Sequence, residues 1–300
     1  MEHRVLGKTG LQLSLIGFGA SPLGNEFGQV DLKDAVHAVH LAIAAGIHFF
    51  DVSPFYGRTL AEERLGAALA GMREQVVLST KCGRYDLRQF DFSAARVRTS
   101  IEESLRRLRT DFVDLLIAHD IEFGDREQII HETIPAMRKL QAEGKTRYVG
   151  ISGLPLPLLA DVAVRGNVDF VLSYCHYNLL VRDLDRDLTP VLQARGIGLI
   201  NASPLHMRVL TKAGPPDWHP ASAAVRQAGA RIVALCEQHG IDPALLALRF
   251  CLDHSYVSST LVGISTPGEV ATNVKALDFK PDPDLLAEIE QIVSPLNNAA

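Results

Sequence analysis

HFFDVSPFYG (residues 48–57), VVLSTK (76–81) and VDLLIAH (113–119) decide the fold. Each begins with a short apolar run suited to a buried strand, and each run leads to residues able to exchange, relay or stabilise a proton: Asp51 and Tyr56, Lys81, and His119. In a parallel barrel the carboxyl ends of the strands share one rim, so these four side chains would meet there.

Working outward, the chain alternates strand-like runs with amphipathic stretches, the pattern of a parallel α/β sheet. The other strand candidates are LIGFGA (15–20), YVGIS (148–152), FVLSYC (170–175), IGLINAS (197–203) and STLVGI (259–264), which brings the number to that of a (β/α)8 TIM barrel. A hairpin precedes them, with arms at Arg4–Leu6 and Leu11–Leu13 and a turn over Gly7–Gly10. Asp31 or Asp34 can cap the first helix, whose face is Ala35, Val39, Ala42 and Ile43, and Gly46 closes it. Ser93 can cap the helix of Val97, Ile101, Leu105 and Leu108, and a further helix fits Ile129–Gly144. Between Ser203 and Ser259 lie a Gly/Pro-rich loop, AGPPDWHP, a helix near 222–239 and another starting at Pro243. The expectation is one barrel domain over residues 1–300, with the N-terminal hairpin and extra C-terminal helices; no linker or repeat divides it.

With 47% apolar and 22% charged residues and a net charge of −5, the composition suits a globular protein, and no basic run suggests nucleic-acid binding. The start, MEHRVLGKTG, is polar, and no run approaches the roughly 18–20 apolar residues of a membrane span, so a cytoplasmic location is expected. Cys82, Cys175, Cys236 and Cys251 lack metal-ligand spacing. Cys236 and Cys251 read as buried thiols, whereas Cys82 and Cys175, at strand ends, leave exposure open. His37 and His40 share a helix face without a third ligand, so no metal is expected.

Moving a hydride between a carbinol carbon and nicotinamide requires a group that handles the hydroxyl proton and others that stabilise charge on its oxygen. A phenol, with pKa near 10, is a poor base at neutral pH, but an adjacent ammonium would lower that value. Lys81 is the expected ammonium for Tyr56; Asp51 would keep it charged and in place, and His119 would hydrogen-bond the reacting oxygen. Each residue also has a plainer reading: Asp51 as a cap or ion-pair partner, Tyr56 as packing.

At these positions DVSPFYG, STK and AHD resemble the D-x-x-x-x-Y-G motif, strand-end Lys and strand-end His of the aldo-keto reductase superfamily, and the likeness covers essentially the whole chain. GFGASPLGNEFG (17–28), STKCGRY (79–85), HDIEFG (119–124), ETIPA (132–136), LSYCHYN (172–178), NASPL (201–205) and GPPDWHPAS (214–222) resemble its aldose 1-dehydrogenase branch. That resemblance implies an α/β barrel without metal, which oxidises the anomeric carbon of an aldose such as L-galactose with NAD, using Asp51, Tyr56, Lys81 and His119. The implied partner is a small sugar, with the chain a monomer or homodimer. Substrate hydroxyls would meet Asn25, Glu26, Asp120, Glu122, His206, Trp218 and His219.

The resemblance also implies a cofactor surface of Ser152, Tyr174, Ser203 and Leu205 at the nicotinamide. Here the chain departs from the superfamily: Gly153 replaces the Asn of a Ser-Asn pair, Tyr174 a Gln, and Ala202 a stacking Tyr. After the last strand, GISTPGEVATN (263–273) leads into a helix whose free N–H groups can bind phosphate, which brings Ser265 and Thr266 into the cofactor set; the resemblance further implies Asn273 at the adenine and Gly263 at a second position where NADP-using relatives carry a cation. Glu269 falls where NADP-using relatives carry a cation. Like charges about 4 Å apart repel by ~1 kcal/mol in water and ~4 kcal/mol at an effective dielectric near 20, which favours NAD. Alternatively, Glu269 is a first-turn carboxylate that suits the helix dipole.

GFGASPLG has a displaced third Gly and an interrupting Pro22, so a Rossmann fingerprint is rejected. Two other readings stay open: an NADPH-dependent carbonyl reductase of the same fold, and a non-catalytic cofactor-binding subunit that senses redox state.

Overall fold

Side-chain alternation along the strands separates the barrel's apolar residues into an inner and an outer region. The computed structural model describes residues 1–297. Its strands are β1 (His3–Val5), β2 (Gln12–Ser14), β3 (Ile16–Gly19), β4 (Phe49–Asp51), β5 (Val77–Cys82), β6 (Arg84–Asp86), β7 (Gln89–Phe90), β8 (Val113–Ala118), β9 (Thr146–Gly153), β10 (Phe170–Tyr174), β11 (Gly198–Ala202) and β12 (Ser259–Gly263). Eight of these, β3, β4, β5, β8, β9, β10, β11 and β12, close into a parallel barrel in chain order. This is the expected (β/α)8 architecture, with the hairpin β1–β2 before it.

Phe49, Val77, Leu115, Ile117, Phe170, Leu172, Ile200 and Leu261 fill the barrel, and Leu6, Leu11 and Leu13 of the hairpin join the same cluster. The hairpin therefore closes the amino-terminal end. Its Lys8 N–H donates to the Gly196 carbonyl at 2.9 Å, and Tyr148 Oη donates to Thr9 O at 2.6 Å. Outward residues such as Phe50, Leu78, Leu116 and Val149 pack under the helices in a second, larger cluster. A third cluster joins the helices Ala223–Gln238, Pro243–Leu252 and Pro283–Asn297 to Leu179, Leu180, Val209 and Leu210. These helices include the extra C-terminal ones the sequence implied.

The expected caps form. Asp31 accepts from Lys33 N and Asp34 N at the start of Leu32–Ala44, and Ser93 accepts from Arg96 N at the start of Ala94–Leu108. The stretch expected to be one helix over 129–144 opens with a π-helical segment, Ile129–Thr133, just before Pro135. Proline has no N–H for the ladder, and the wider turn accommodates the missing bond. Cys82 and Cys175 are both buried. A second hairpin, β6–β7, rises from the end of β5 and was not anticipated.

One close approach fixes the loop after β4. A Cβ on Gly24 would lie 2.6 Å from Gly57 N and 2.7 Å from Tyr56 C, and Gly57 itself has φ +60°. The loops after β3 and β4 thus touch backbone to backbone, directly beside Tyr56. Gly24→Ala is expected to lower stability by about 1–3 kcal/mol, as overpacking does. A urea unfolding midpoint equal to that of the parent would contradict this contact.

Candidate active site

The inner face of three adjacent strands carries the site. On β4 the inward residues are Phe49 and Asp51; on β5, Val77, Ser79 and Lys81; and beside β8, Leu115 and Ile117 lead to His119. Apolar side chains fill the lower levels, and the polar ones follow at the carboxyl ends. Register aligns them, since Asp51 pairs with Ser79 and Lys81 with Ile117, while His119 N–H donates to Cys82 O at 2.8 Å.

Lys81 and Asp51 form a buried ion pair with Nζ to Oδ2 at 2.5 Å and side-chain exposures of 1% and 5%. Lys81 Nζ also donates to Val52 O at 2.9 Å, and Ser79 Oγ donates to Asp51 Oδ1 at 2.6 Å. Two of the three ammonium protons are thereby directed. The Tyr56 ring centroid lies 4.8 Å from Nζ, which leaves the third proton for the phenol side.

Tyr56 departs from expectation. Its phenol is held well above the usual tyrosine value, first by burial and then by the negative charges of Asp51 and Asp120, while Arg84 opposes them. Asp51 accompanies Lys81 and opposes it at the phenol, so the lysine does not prevail over burial and the carboxylates. In this resting site Tyr56 is a neutral hydroxyl.

His119 is neutral too. Burial is the main cause that pushes it down to about 3, opposed by Asp120 and reinforced by Lys81 and Arg84. Its Nδ1 lies 3.0 Å from Ser53 Oγ, which already accepts the Phe55 N–H at 3.1 Å. With the Ser53 hydroxyl donating to Nδ1, the ring proton is assigned to Nε2, which faces Asp120 Oδ2 at 3.5 Å. Tyr56 and His119 meet edge to face, centroids 5.7 Å apart.

The other expected residues divide. Asp120 and Glu122 lie at this rim: Asp120 is in ion-pair contact with Arg84, and Glu122 Oε1 is 3.5 Å from Tyr174 Oη. Ser152 Oγ accepts from Asp120 N at 3.3 Å. Asn25 and Glu26, expected to hold substrate, bond to neighbouring segments of the chain. Asn25 Oδ1 accepts from Val30 N and Arg64 Nη1, and Glu26 Oε1 accepts from Gly57 N at 2.7 Å, which pins the Tyr56 loop. His206 is buried against Asn178 Nδ2 at 3.2 Å, and His219 Nε2 contacts the His206 carbonyl at 3.1 Å. Trp218 is exposed beside Phe27, with centroids 5.9 Å apart.

On the opposite side of the rim, Ser203 has φ +61°, and His206, Met207 and Arg208 are all left-handed. At the helix Pro267–Lys275, the expectation of free N–H groups is corrected for Ser265, Thr266 and Glu269. Glu269 Oε2 accepts from Ser265 N at 2.7 Å and Thr266 N at 2.9 Å, and Thr266 Oγ1 accepts from Glu269 N, which completes a capping box. Asn273 is buried with Nδ2 unpartnered.

Sequence reasoning passed over Arg84, Ser53 and Ser79. The pattern Arg84-Tyr85-Asp86 before Gln89-Phe90 was the available strand signal for Arg84.

His119 ties stability to pH. Its folded pKa of about 3 lies below the ordinary histidine value of 6.5, so the unfolded chain binds the proton first, and stability present above 6.5 is lost as pH falls toward 3. At about pH 4.5, two units below the unfolded value, the loss from this group is roughly 2–3 kcal/mol. Urea unfolding at neutral pH and at about pH 4.5 should show a smaller acid loss for His119→Gln than for the parent; equal losses would contradict the assignment.

Residues 15–294 match the Aldo/keto reductase family model. The chain is 49% identical to L-galactose dehydrogenase of Arabidopsis thaliana, over 99% of this chain and 96% of that protein. It is 28% identical to D-threo-aldose 1-dehydrogenase of a Pseudomonas species, over 94% of each. An aldo-keto reductase of Bacillus halodurans, solved in its holo form, superposes with a TM-score of 0.80 at 28% identity, covering 100% of this chain and 97% of that one. A barrel closed in this order, with Lys, Asp, Tyr and His at its carboxyl rim and a family match along nearly its whole length, places this oxidoreductase in the aldo/keto reductase family.

Proposed function

We propose that this protein oxidises the C1 hydroxyl of a cyclic aldose such as L-galactose to the lactone, with NAD as cofactor. The observation that carries the reading is the buried Lys81–Asp51 pair beneath the Tyr56 phenol, in a chain half identical to an L-galactose dehydrogenase.

In this reading Tyr56 Oη takes the substrate's hydroxyl proton. It does so as phenolate, and the third Lys81 proton stabilises that anion once formed. Asp51 holds the lysine charged and aimed. Neutral His119 offers Nε2–H to the reacting oxygen, where a hydrogen bond stabilises developing charge. Bound NAD supplies the hydride acceptor.

Ser152, Tyr174, Ser203 and Leu205 would hold the nicotinamide end, with Tyr174 in place of the ring partner that Ala202 cannot provide. Gly263, Ser265, Thr266, Glu269 and Asn273 would hold the adenosine end. The donor set fits: the unpartnered Asn273 Nδ2 suits a ring acceptor, and the Glu269 carboxylate, held over the Ser265 and Thr266 N–H groups, suits ribose hydroxyls and repels a 2′-phosphate. On the sugar side, Asp120, Glu122 and the exposed Trp218 remain candidates.

A protonated Tyr56 at rest also suits the reverse direction, in which the phenol gives its proton to a carbonyl. Direction then follows from whether the oxidised or the reduced cofactor is bound, whereas the Glu269 carboxylate bears on NAD against NADP.

Initial rates of NAD reduction with L-galactose, L-fucose, D-arabinose and D-glucose test the reading. Tyr56→Phe should lower kcat by about 10²- to 10⁴-fold, the usual share of a positioned acid–base group, with NAD binding retained. Wild-type-like turnover in that variant would remove Tyr56 from the reaction. In kcat/KM the parent should favour NAD over NADP at least about tenfold, and Glu269→Gln should narrow that ratio; an NADP preference in the parent would overturn the cofactor assignment.

A further inference from the structure

Three buried polar atoms without a hydrogen-bond partner lie at the rim: Arg84 Nε and Asp120 Oδ1 near the Phe55 and His119 rings, and Glu122 Oε2 on the residue beside Tyr174. Nearly all buried polar atoms are paired, so three orphans on contacting or neighbouring residues are unusual. Asp120 is only 2% exposed and sits in the left-handed region at φ +52°, a conformation costly for a residue other than Gly.

The cluster is held firmly from behind. The Arg84 guanidinium carbon lies 3.9 Å from the Phe55 ring centroid, 5.0 Å from that of Phe123 and 5.8 Å from that of Phe90, and Phe90 stacks on Phe123 at 4.5 Å. Phe55 precedes Tyr56 and touches the His119 ring edge to face, with centroids 5.8 Å apart. The Arg84–Asp120 ion pair ties hairpin β6–β7 to the turn after β8. Glu122 Oε1 accepts from Leu154 N at 3.1 Å, which fixes the carboxylate with Oε2 over Gly153, where a Cβ would lie 2.6 Å away. Gly153 thus leaves room for that oxygen. Asp120 Oδ2 lies 3.5 Å from His119 Nε2, Arg84 covers the Phe55 ring next to Tyr56, and Glu122 Oε1 lies 3.5 Å from Tyr174 Oη, so the cluster borders the reactive side of the rim.

We infer that Arg84, Asp120 and Glu122 form a subsite that reads the hydroxyls next to the reacting carbon of the sugar, with Arg84 as donor and the two carboxylates as acceptors. This rests on the aldose dehydrogenase reading and deepens it. Arg84 is a specificity-determining residue that the loop motifs did not reveal. A sugar hydroxyl both donates and accepts, so a rim with one free donor and two free acceptors suits a polyol. A plain aldehyde or alcohol would leave the orphans unpaired, at about 1–3 kcal/mol each. Sites built this way reject analogues that lack the hydroxyl far more strongly than apolar pockets reject a missing methylene.

The test compares kcat/KM for L-galactose, 2-deoxy-L-galactose and L-fucose, whose missing hydroxyl is remote from C1, in the parent, Arg84→Met, Arg84→Lys and Glu122→Gln. The dissociation constant of NAD is measured by fluorescence in each. The parent should prefer L-galactose to its 2-deoxy analogue by at least about 100-fold and discriminate far less against L-fucose. In the variants the 2-deoxy ratio should fall below about tenfold while NAD affinity stays within a few-fold. If Arg84→Met fails to fold, Arg84→Lys, which keeps a cation for Asp120 but has no N–H at the Nε position, carries the comparison. An unchanged 2-deoxy ratio overturns the inference. So does a uniform loss on every sugar with weakened NAD binding, which would assign Glu122 to the cofactor. No oxidation of any aldose by the parent would defeat the proposed function itself; oxidation without 2-deoxy discrimination would defeat only this subsite.

Discussion

Burying an ammonium inside a barrel is the constraint on which the rest of the site depends. Lys81 is 1% exposed, and a lone charge there would cost several kcal/mol of lost hydration. It is offset only because β4 and β5 are neighbours in register, which puts Asp51 beside Ser79 and within 2.5 Å of the lysine at the next inward position. Ser79 Oγ and the Val52 carbonyl complete the shell. Breaking such a pair from one side typically costs about 3–5 kcal/mol, because the remaining charge stays buried and alone. The alternation that fills the lower barrel with Phe49, Val77 and Leu115 is therefore the same one that delivers Asp51, Lys81 and His119 to its mouth.

Burial shapes the protonation states above the pair. Tyr56 and His119 both rest uncharged chiefly because of burial, which raises the phenol and lowers the imidazole; Asp51 reinforces the first and Lys81 the second. Whatever the lysine's remaining proton contributes to the phenolate is outweighed by burial and by the charges of Asp51 and Asp120, so the phenol rests protonated. Charge at this rim is carried instead by Arg84, Asp120 and Glu122, one layer further out. The result is a neutral reacting centre beneath a charged, hydrogen-bonding collar.

Much of this was legible in the chain. The strand ends carried their polar residues in plain view, because period-two alternation and a buried run of four to six residues leave few other structures available. Asp31 and Ser93 announced their helices. The hairpin β6–β7 did not show, since RYDLRQF is short, charged and half exposed, and Arg84 was lost with it. Spacing placed Lys81 near Tyr56 but could not show that Asp51 and Asp120 also face the phenol, and the sign of its shift depends on them. The Thr266-x-x-Glu269 spacing was a readable capping box; reading Glu269 chiefly as a charge facing the cofactor concealed that it already engages the Ser265 and Thr266 N–H groups.

The most direct measurement is the pH dependence of kcat/KM for NAD-linked oxidation of L-galactose, from about pH 6 to about pH 10.5. With a phenol that rests neutral and must ionise to accept the substrate proton, kcat/KM should climb roughly tenfold per pH unit until the phenol titrates, with no plateau near neutrality. A rate that is flat across this range would mean that Tyr56 is already ionised or takes no part, and would contradict the neutral resting site.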